Sequence, residues 1–129
     1  MDELLVGLRA IAESTRVRIL FVLSHGEFNV SELTQILGQS QPRVSRHLKL
    51  MVEAGMVSRH KEGNWVLFRL REKGLEGTLS RAIVDMLPAH DATLARDLAR
   101  LETIRTQRAE LAASYFSSNA ANWQKLRSL

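Results

Sequence analysis

The sequence contains no cysteine among its 129 residues, and this absence removes several kinds of site at once. Disulfides, thiolate metal centres and thiol redox switches all require cysteine and are therefore excluded. No stretch approaches the roughly 20 apolar residues that a membrane-spanning helix needs. The chain starts with Met1-Asp2-Glu3, which is acidic where a signal peptide would be basic. We therefore expect a cytoplasmic protein with no membrane partner.

Patterns typical of enzymes are also missing. The sequence has no nucleophile with a nearby base, no carboxylate pair at catalytic spacing and no constellation of metal ligands. No glycine-rich loop between a strand and a helix follows Gly77, so no nucleotide site is indicated. We expect no enzymatic activity and no cofactor, and leave open an unidentified small-molecule effector.

Positive charge is concentrated in one part of the chain, although the formal net charge is only +4. Residues 39–73 contain eight basic and three acidic side chains, which is a net +5 and leaves −1 for all the other residues. A basic patch confined to one segment is typical of a site for a polyanion, because counterion release favours binding to phosphates. An ordinary solvated basic surface is the alternative.

Hydrophobic periodicity predicts a mainly α fold with a small β-hairpin. An Asn-x-x-Glu capping box at Asn29 and Glu32 starts one short helix, and Gly38 and Ser40 separate it from the next. A long C-terminal helix follows a break near Leu87-Pro88. The predicted helices cover about 3–12, 15–23, 30–37 and 41–54, and the predicted strands cover 57–59 and 65–70.

This order of elements is that of a winged helix-turn-helix, and the helix over 41–54 has the two faces that such a fold needs. Its apolar stripe consists of Val44, Leu48, Met51 and Val52. Gln41, Arg43, Ser45, Arg46, His47 and Lys49 lie outside that stripe. An apolar face seats the helix on the core while polar and basic groups point outward.

The outward residue types suit the major groove of DNA. Arginine can bond guanine, and glutamine can bond adenine, through two parallel hydrogen bonds. We expect Gln41 and Arg43 to meet bases, and Arg46 and Lys49 to meet phosphates. For His47 a base or phosphate contact is favoured over a metal ligand or a proton switch. The predicted DNA-binding residues are Gln39, Ser40, Gln41, Arg43, Val44, Ser45, Arg46, His47, Lys49, Arg59, His60 and Lys61.

The last three of these residues belong to the predicted hairpin, whose tip we assign to residues 59–64. Arg59, His60 and Lys61 favour a minor-groove or backbone contact over a merely solvated turn. Trp65 is interpreted as a packing residue rather than a stacking platform.

Four segments resemble the arsenic-repressor-type (ArsR/SmtB) family. They are residues 12–20 (AESTRVRIL), 30–33 (VSEL), 39–48 (QSQPRVSRHL) and 53–57 (EAGMV), within a match that spans roughly 4–71. The Ser-Arg-His-Leu core, together with the Ala-Gly pair that follows it, is strongly specific for this family. The resemblance implies a winged-helix homodimer that represses genes by covering an inverted-repeat operator in double-stranded DNA and releases it when an effector binds.

The departures from the family pattern concern the effector. Where many members carry metal-binding cysteines, this chain reads Asn29-Val30-Ser31, and no histidine follows His90 and Asp91 near the start of the last helix. We therefore expect no metal site. The tail over 109–129 resembles the connector of members fused to a methyltransferase-like domain, which suggests a metabolite of the S-adenosylmethionine cycle. A terminal arm that packs on the dimer is the alternative.

The long C-terminal helix and the first helix are predicted to form the interface between the two copies of a homodimer. The alternative is that it folds back over its own domain. We assign residues 1–88 to the DNA-binding domain and residues 89–129 to the dimerisation arm. A winged-helix protein-interaction module that does not read DNA remains the alternative function. The predicted interface consists of Leu4, Leu5, Leu8, Leu94, Leu98, Leu101 and Ile104.

Overall fold

The computed structural model describes residues 1–88 and 90–127, and their side chains up to residue 117. The mainly α fold with one small hairpin is confirmed within these residues, where none of the helices is long and apolar enough to cross a membrane. The elements are α1 (Asp2–Ile11), α2 (Ser14–Leu23), α3 (Val30–Leu37), α4 (Gln41–Glu53), β1 (Val57–Glu62), β2 (Trp65–Leu70), α5 (Gly74–Met86) and α6 (Ala92–Arg127).

Helices α3 and α4 form the helix-turn-helix, and local sequence signals define both ends of α3. The Asn29 side chain accepts a hydrogen bond from the Glu32 N–H at 2.8 Å, and the Glu32 carboxylate accepts one from the Asn29 N–H at 3.0 Å. This is the predicted capping box. Gly38 ends α3 with a φ of 64°, a left-handed conformation that favours glycine. The chain can therefore turn within three residues and enter α4.

The hairpin is longer than the sequence predicted, because β1 continues to Glu62 instead of ending at Arg59. Val57 pairs with Leu70 and Glu62 pairs with Trp65, so only Gly63 and Asn64 form the turn. Phe28, which precedes α3, adds two backbone hydrogen bonds to Phe68 and ties the hairpin to the body.

The core lies where α2, α3 and α4 meet, and both the hairpin and α6 cover it. Phe68 of β2 is buried, and Leu101 of α6 has no exposed surface. The fully buried side chains of the three central helices include Ile19, Leu20, Val22, Leu33, Ile36, Val44, Leu48 and Met51.

Four residues of the predicted dimer interface lie on the last helix, and the prediction is wrong for three of them. Leu94, Leu101 and Ile104 are buried, and Leu98 is half-buried, in contacts within the same chain. The reason is that α6 packs across α2 and α3 of its own domain, which was the alternative considered from the sequence. The other three members, Leu4, Leu5 and Leu8 on α1, are each more than one-third exposed.

Candidate nucleic-acid interface

The helix α4 is held on the core by one face and presents the other to solvent. Val44, Leu48 and Met51 are almost completely buried, which fixes the helix against α2 and α3. Pro42 lies in the first turn of α4, where its missing N–H has no helical partner to lose.

The solvent face of α4 is polar and basic. Gln41, Arg43, Arg46 and Lys49 are exposed, while Ser45 is half-buried. Within the described part of the chain, none of the three cations forms an ion pair or hydrogen bond. Their charge is therefore available to an external anion.

Two predicted contact residues of α4 point inward instead. Val44 is completely buried, so it belongs to the seat of the helix and cannot reach a groove. The His47 side chain is only 11% exposed; its Nδ1 lies 3.1 Å from Arg16 Nη1 and 3.8 Å from Glu13 Oε2. Because arginine can only donate, this Nδ1 is the acceptor and the ring is neutral in this arrangement. We therefore remove Val44 and His47 from the predicted set.

Electrostatics around His47 agree with a neutral ring. Burial lowers the pKa of His47, the Glu13 carboxylate opposes this effect, and the neighbouring arginines reinforce it. Burial opposes ionisation of Glu13 too, but backbone N–H groups of Thr15 and Arg16 lower its pKa below the ordinary value. The Arg16 Nε also donates to the Ala10 carbonyl. This network attaches α4 to the junction between α1 and α2, a role that the sequence reasoning missed.

The predicted residues that precede α4 differ in their accessibility. Ser40 is exposed at the N-cap position, although its side chain makes no capping hydrogen bond. The Gln39 side-chain amide donates to Thr15 Oγ1 at 3.0 Å, so it stabilises the turn from inside. The predicted DNA contact of Gln39 is therefore corrected, because its side chain points toward Thr15.

In the hairpin, the predicted residues divide between the two faces of the sheet. Arg59 and Lys61 are exposed, and Arg59 lines a groove of about 440 Å³ with Lys49 between α4 and the hairpin. His60 faces the other way: its Nε2 lies 3.5 Å from Glu27 Oε2, and it is half-buried. The predicted DNA contact of His60 is therefore corrected, because residues in a strand alternate between faces and His60 lies on the face opposite to Arg59 and Lys61.

Trp65 is not the packing residue expected from the sequence. Its side chain is 65% exposed at the start of β2, beside the turn. This large exposed aromatic follows Asn64 and pairs with Glu62 across the strands, so it adds an apolar surface to the polar tip of the hairpin.

The residues considered for a metal site are not assembled into one. In the parts of the chain that the structure describes, no group of three or more histidine, aspartate or glutamate side chains could hold a metal ion. His90 is exposed, and the Asp91 carboxylate accepts a hydrogen bond from the Leu94 N–H at 2.9 Å, which caps α6. The most informative residues of the tail resemblance, 118–129, have side chains outside the described residues.

Comparisons with known proteins point to one family. Residues 13–59 match the family model described as "Bacterial regulatory protein, arsR family". The chain is 33% identical over 97 residues to the arsenic resistance transcriptional regulator ArsR2 of Pseudomonas putida, which covers 74% of this chain and 84% of that protein. It is 44% identical over 63 residues to the arsenical resistance operon repressor of Escherichia coli, which covers 48% of this chain.

The chain spans about half the length of that Escherichia coli relative, 54% of it. Among solved structures, the transcriptional repressor BigR from Xylella fastidiosa is similar, with a TM-score of 0.61 and 28% identity. That similarity covers 67% of this chain and 84% of the BigR chain.

Proposed function

The chain belongs to the arsR family of bacterial regulatory proteins, and on this premise we propose that it is a sequence-specific DNA-binding repressor of transcription. The observation that carries the proposal is the solvent face of α4. Three exposed cations, Arg43, Arg46 and Lys49, stand on a helix whose opposite face is firmly buried. A helix seated in this way can enter a major groove without unfolding its own core.

The contacts follow from the position of each side chain along α4. Gln41 and Arg43 lie in the first turn, the part of a recognition helix that meets base edges, and they have the bidentate groups that read adenine and guanine. Arg46 and Lys49 lie further along and neutralise phosphates. Arg59 and Lys61 on the exposed part of the hairpin add contacts to the backbone or the minor groove.

We propose further that the repressor is a homodimer. Leu4, Leu5 and Leu8 are exposed apolar side chains that form a patch on α1. A two-fold contact between copies of this patch would bury it. Such a dimer places two recognition helices about one turn of DNA apart, which calls for an inverted-repeat operator. Replacing Leu5 by glutamate is expected to give monomers in sedimentation analysis.

The effector that we propose is not a metal ion. The chain has no thiolate, and Asp91, one of its two candidate ligands near the start of α6, is engaged in capping that helix. The resemblance of residues 109–129 to the connector of methyltransferase-fused regulators supports a metabolite of the S-adenosylmethionine cycle. A titration of operator-bound protein with S-adenosylhomocysteine, with arsenite and zinc as comparisons, tests this choice.

The DNA-binding proposal is tested by fluorescence anisotropy of a labelled duplex that carries the promoter of the protein's own gene. Binding should be salt-sensitive and at least about a thousandfold tighter than to random DNA. Arg43→Ala should weaken specific binding by about 1 to 3 kcal/mol. Arg96→Ala is the matched control. It removes the same charge as Arg43→Ala, but Arg96 is exposed on α6, away from α4.

Equal weak binding to every duplex, unchanged by Arg43→Ala, would contradict the proposal. The chain would then be better described as a winged-helix module that binds another protein. Equal losses in Arg43→Ala and Arg96→Ala would mean that only the net charge matters, and that no base is read by α4.

A further inference from the structure

A groove of about 960 Å³ lies on the side of the hairpin that faces away from α4. Ser58 and Arg69 pair across the two strands and contribute to its wall, on the face opposite to Arg59. The end of α2 and the loop after it form a second wall, and the first half of α5 forms the third. The groove therefore touches the base of the hairpin and two helices, and it is separate from the DNA-binding surface proposed above.

The walls of this groove carry more positive than negative charge. Arg69, Arg71, Lys73 and Arg81 line it, against the carboxylates of Glu27 and Glu72. Only Arg69 among these cations has an ion pair in the described part of the chain, with Glu27 at 3.5 Å. A surplus of cations in a concave site attracts anions and repels metal ions.

Arg81 is held in place by contacts of its own. Its Nη1 donates to the Glu72 backbone carbonyl at 2.9 Å, and its Nη2 donates to Thr78 Oγ1 at 3.4 Å. These acceptors are neutral, so they orient the guanidinium without cancelling its charge. A fixed guanidinium fork is well suited to the oxygens of a carboxylate or a phosphate.

A second, independent observation comes from Ser80 on α5. Its side chain is buried, with 2% of its surface exposed, and its Oγ has no hydrogen-bond partner among the described residues. Buried hydroxyls are nearly always hydrogen-bonded, because losing water without a replacement costs free energy. Ser80 lines the same groove as the four cations. Its Oγ is itself buried, so a bound molecule would supply the missing partner after a small rearrangement of the wall that uncovers this atom.

We infer that this groove binds a small organic anion, with carboxylate or phosphate oxygens on Arg81 and Lys73 and a further acceptor on the Ser80 hydroxyl. Its volume lies in the range of about 300–1,000 Å³ that is usual for small-molecule sites. The inference rests on the proposed function, under which this anion acts as an effector. When bound, it would connect the end of α2 to the base of the hairpin and to α5. Any shift of the hairpin relative to α4 then changes how Arg59 and Lys61 meet DNA.

The direct test uses inorganic phosphate as the oxyanion probe and the full chain labelled with ¹⁵N. Phosphate is exchanged for chloride at constant ionic strength while amide shifts are followed by NMR. Saturable shifts should be confined to the groove, from residue 69 to residue 81 and at the end of α2. Arg81→Gln should weaken the fitted affinity about tenfold, and Arg96→Gln, which makes the same change on an exposed part of α6, should leave it unchanged.

Ser80→Ala supplies a readout that a structural role would not give. Because the hydroxyl has no partner within the described chain, its removal should leave the stability equal or slightly higher while the phosphate affinity falls severalfold. A loss of stability in this variant would show that the hydroxyl serves the fold, and would overturn its assignment as a ligand group.

Unsaturable shifts, or equal effects of Arg81→Gln and Arg96→Gln, would overturn the groove as a site. A reduced salt dependence of DNA binding in Arg81→Gln would also overturn it, because the groove would then hold a DNA phosphate. The NMR titration needs no DNA, so the two proposals can fail separately. Saturable phosphate binding without operator recognition would support the anion site and contradict only the repressor proposal. Operator recognition without saturable phosphate binding would contradict only the anion site.

Discussion

Replacing Asp97 by alanine should be among the most destabilising changes available on α6. The Asp97 carboxylate receives two hydrogen bonds of 2.8 Å from the Nε and Nη2 of Arg18. Asp97 has no exposed surface, and the Arg18 side chain is only 15% exposed. The hydrogen bonds and the charge of Asp97 together raise the pKa of Arg18 against the effect of burial, so the guanidinium stays charged.

The magnitude follows from the asymmetry of buried ion pairs. Removing one partner leaves the other charge buried and uncompensated, which costs about 3–5 kcal/mol. Arg18 keeps a hydrogen bond to the Leu37 carbonyl and some access to water, so we place Asp97→Ala near the lower end, at about 3 kcal/mol. That is a large share of the roughly 5–15 kcal/mol by which domains are stable.

Urea unfolding followed by far-ultraviolet circular dichroism measures the free energy of unfolding. It should be run at two protein concentrations, because dimerisation would add to the apparent stability. Asp85→Ala is the matched control: Asp85 is exposed on α5 and should change the stability by no more than about 0.5 kcal/mol. The double replacement of Arg18 by Met and Asp97 by Leu should recover most of the loss, because it leaves no unpaired charge.

A cost below about 1 kcal/mol for Asp97→Ala, with an unchanged m-value, would refute this reasoning. It would mean that the pair is hydrated, or that α6 does not stay on the body of the domain in solution.

Further measurements test other parts of the fold. The neutral His47 ring is favoured in the fold, so stability should fall as the pH drops below about 6.5, and urea midpoints at pH 7.5 and 5.5 should differ less in His47→Gln. Asn29→Ala removes half of the capping box and should cost about 1 kcal/mol in the same assay. At Gly77 a Cβ would lie 2.0 Å from the Glu72 carbonyl oxygen, so Gly77→Ala should severely destabilise the fold in thermal unfolding. At Gly63 nothing lies within 4 Å, and Gly63→Ala should cost only the strain of its φ of 61°, about 1–2 kcal/mol.

Elements with strong local signals were predictable from the sequence. The capping box at Asn29 and the glycine at position 38 bound α3 as expected, and β2 has the predicted limits. The length of β1 was not predictable in the same way. Its outer half, His60 to Glu62, consists of polar residues that join the sheet only because β2 pairs with them.

The inward position of His47 was present in the periodicity but was hidden by its polarity. Residues 44, 47, 48 and 51 follow the spacing of three and four that forms one face of a helix, and all four are buried. Giving the spacing more weight than residue type would have placed His47 inside. Its partner Arg16, 31 residues earlier, could not be inferred from local patterns.

The stripe on α6 shows a different limit. A spacing of three and four predicts that Leu94, Leu98 and Leu101 will be covered, but the same spacing serves a neighbouring helix in the same chain or in a partner. What decides the case is the set of polar contacts between α6 and the body, chiefly the pairing of Asp97 with Arg18. The residues around Arg18 and around Asp97 in the sequence do not indicate that these two side chains pair.

The contacts of α6 also bear on the unit that is proposed to read DNA. The last carbonyls of a helix have no partners within it, and two of those at the end of α3 accept hydrogen bonds from arginines: Leu37 from Arg18 at 2.8 Å and Ile36 from Arg100 at 3.3 Å. Gly38 follows at once, and a Cβ at that position would lie 2.8 Å from Arg100 Nη1. The turn into α4 is therefore held by Arg18 of α2 and by Arg100 of α6, a helix outside the segment that matches the family model, residues 13–59. A displacement of α6 would remove the Arg100 contact and the Asp97 partner of Arg18, and would therefore weaken the support of the turn that precedes the proposed recognition helix.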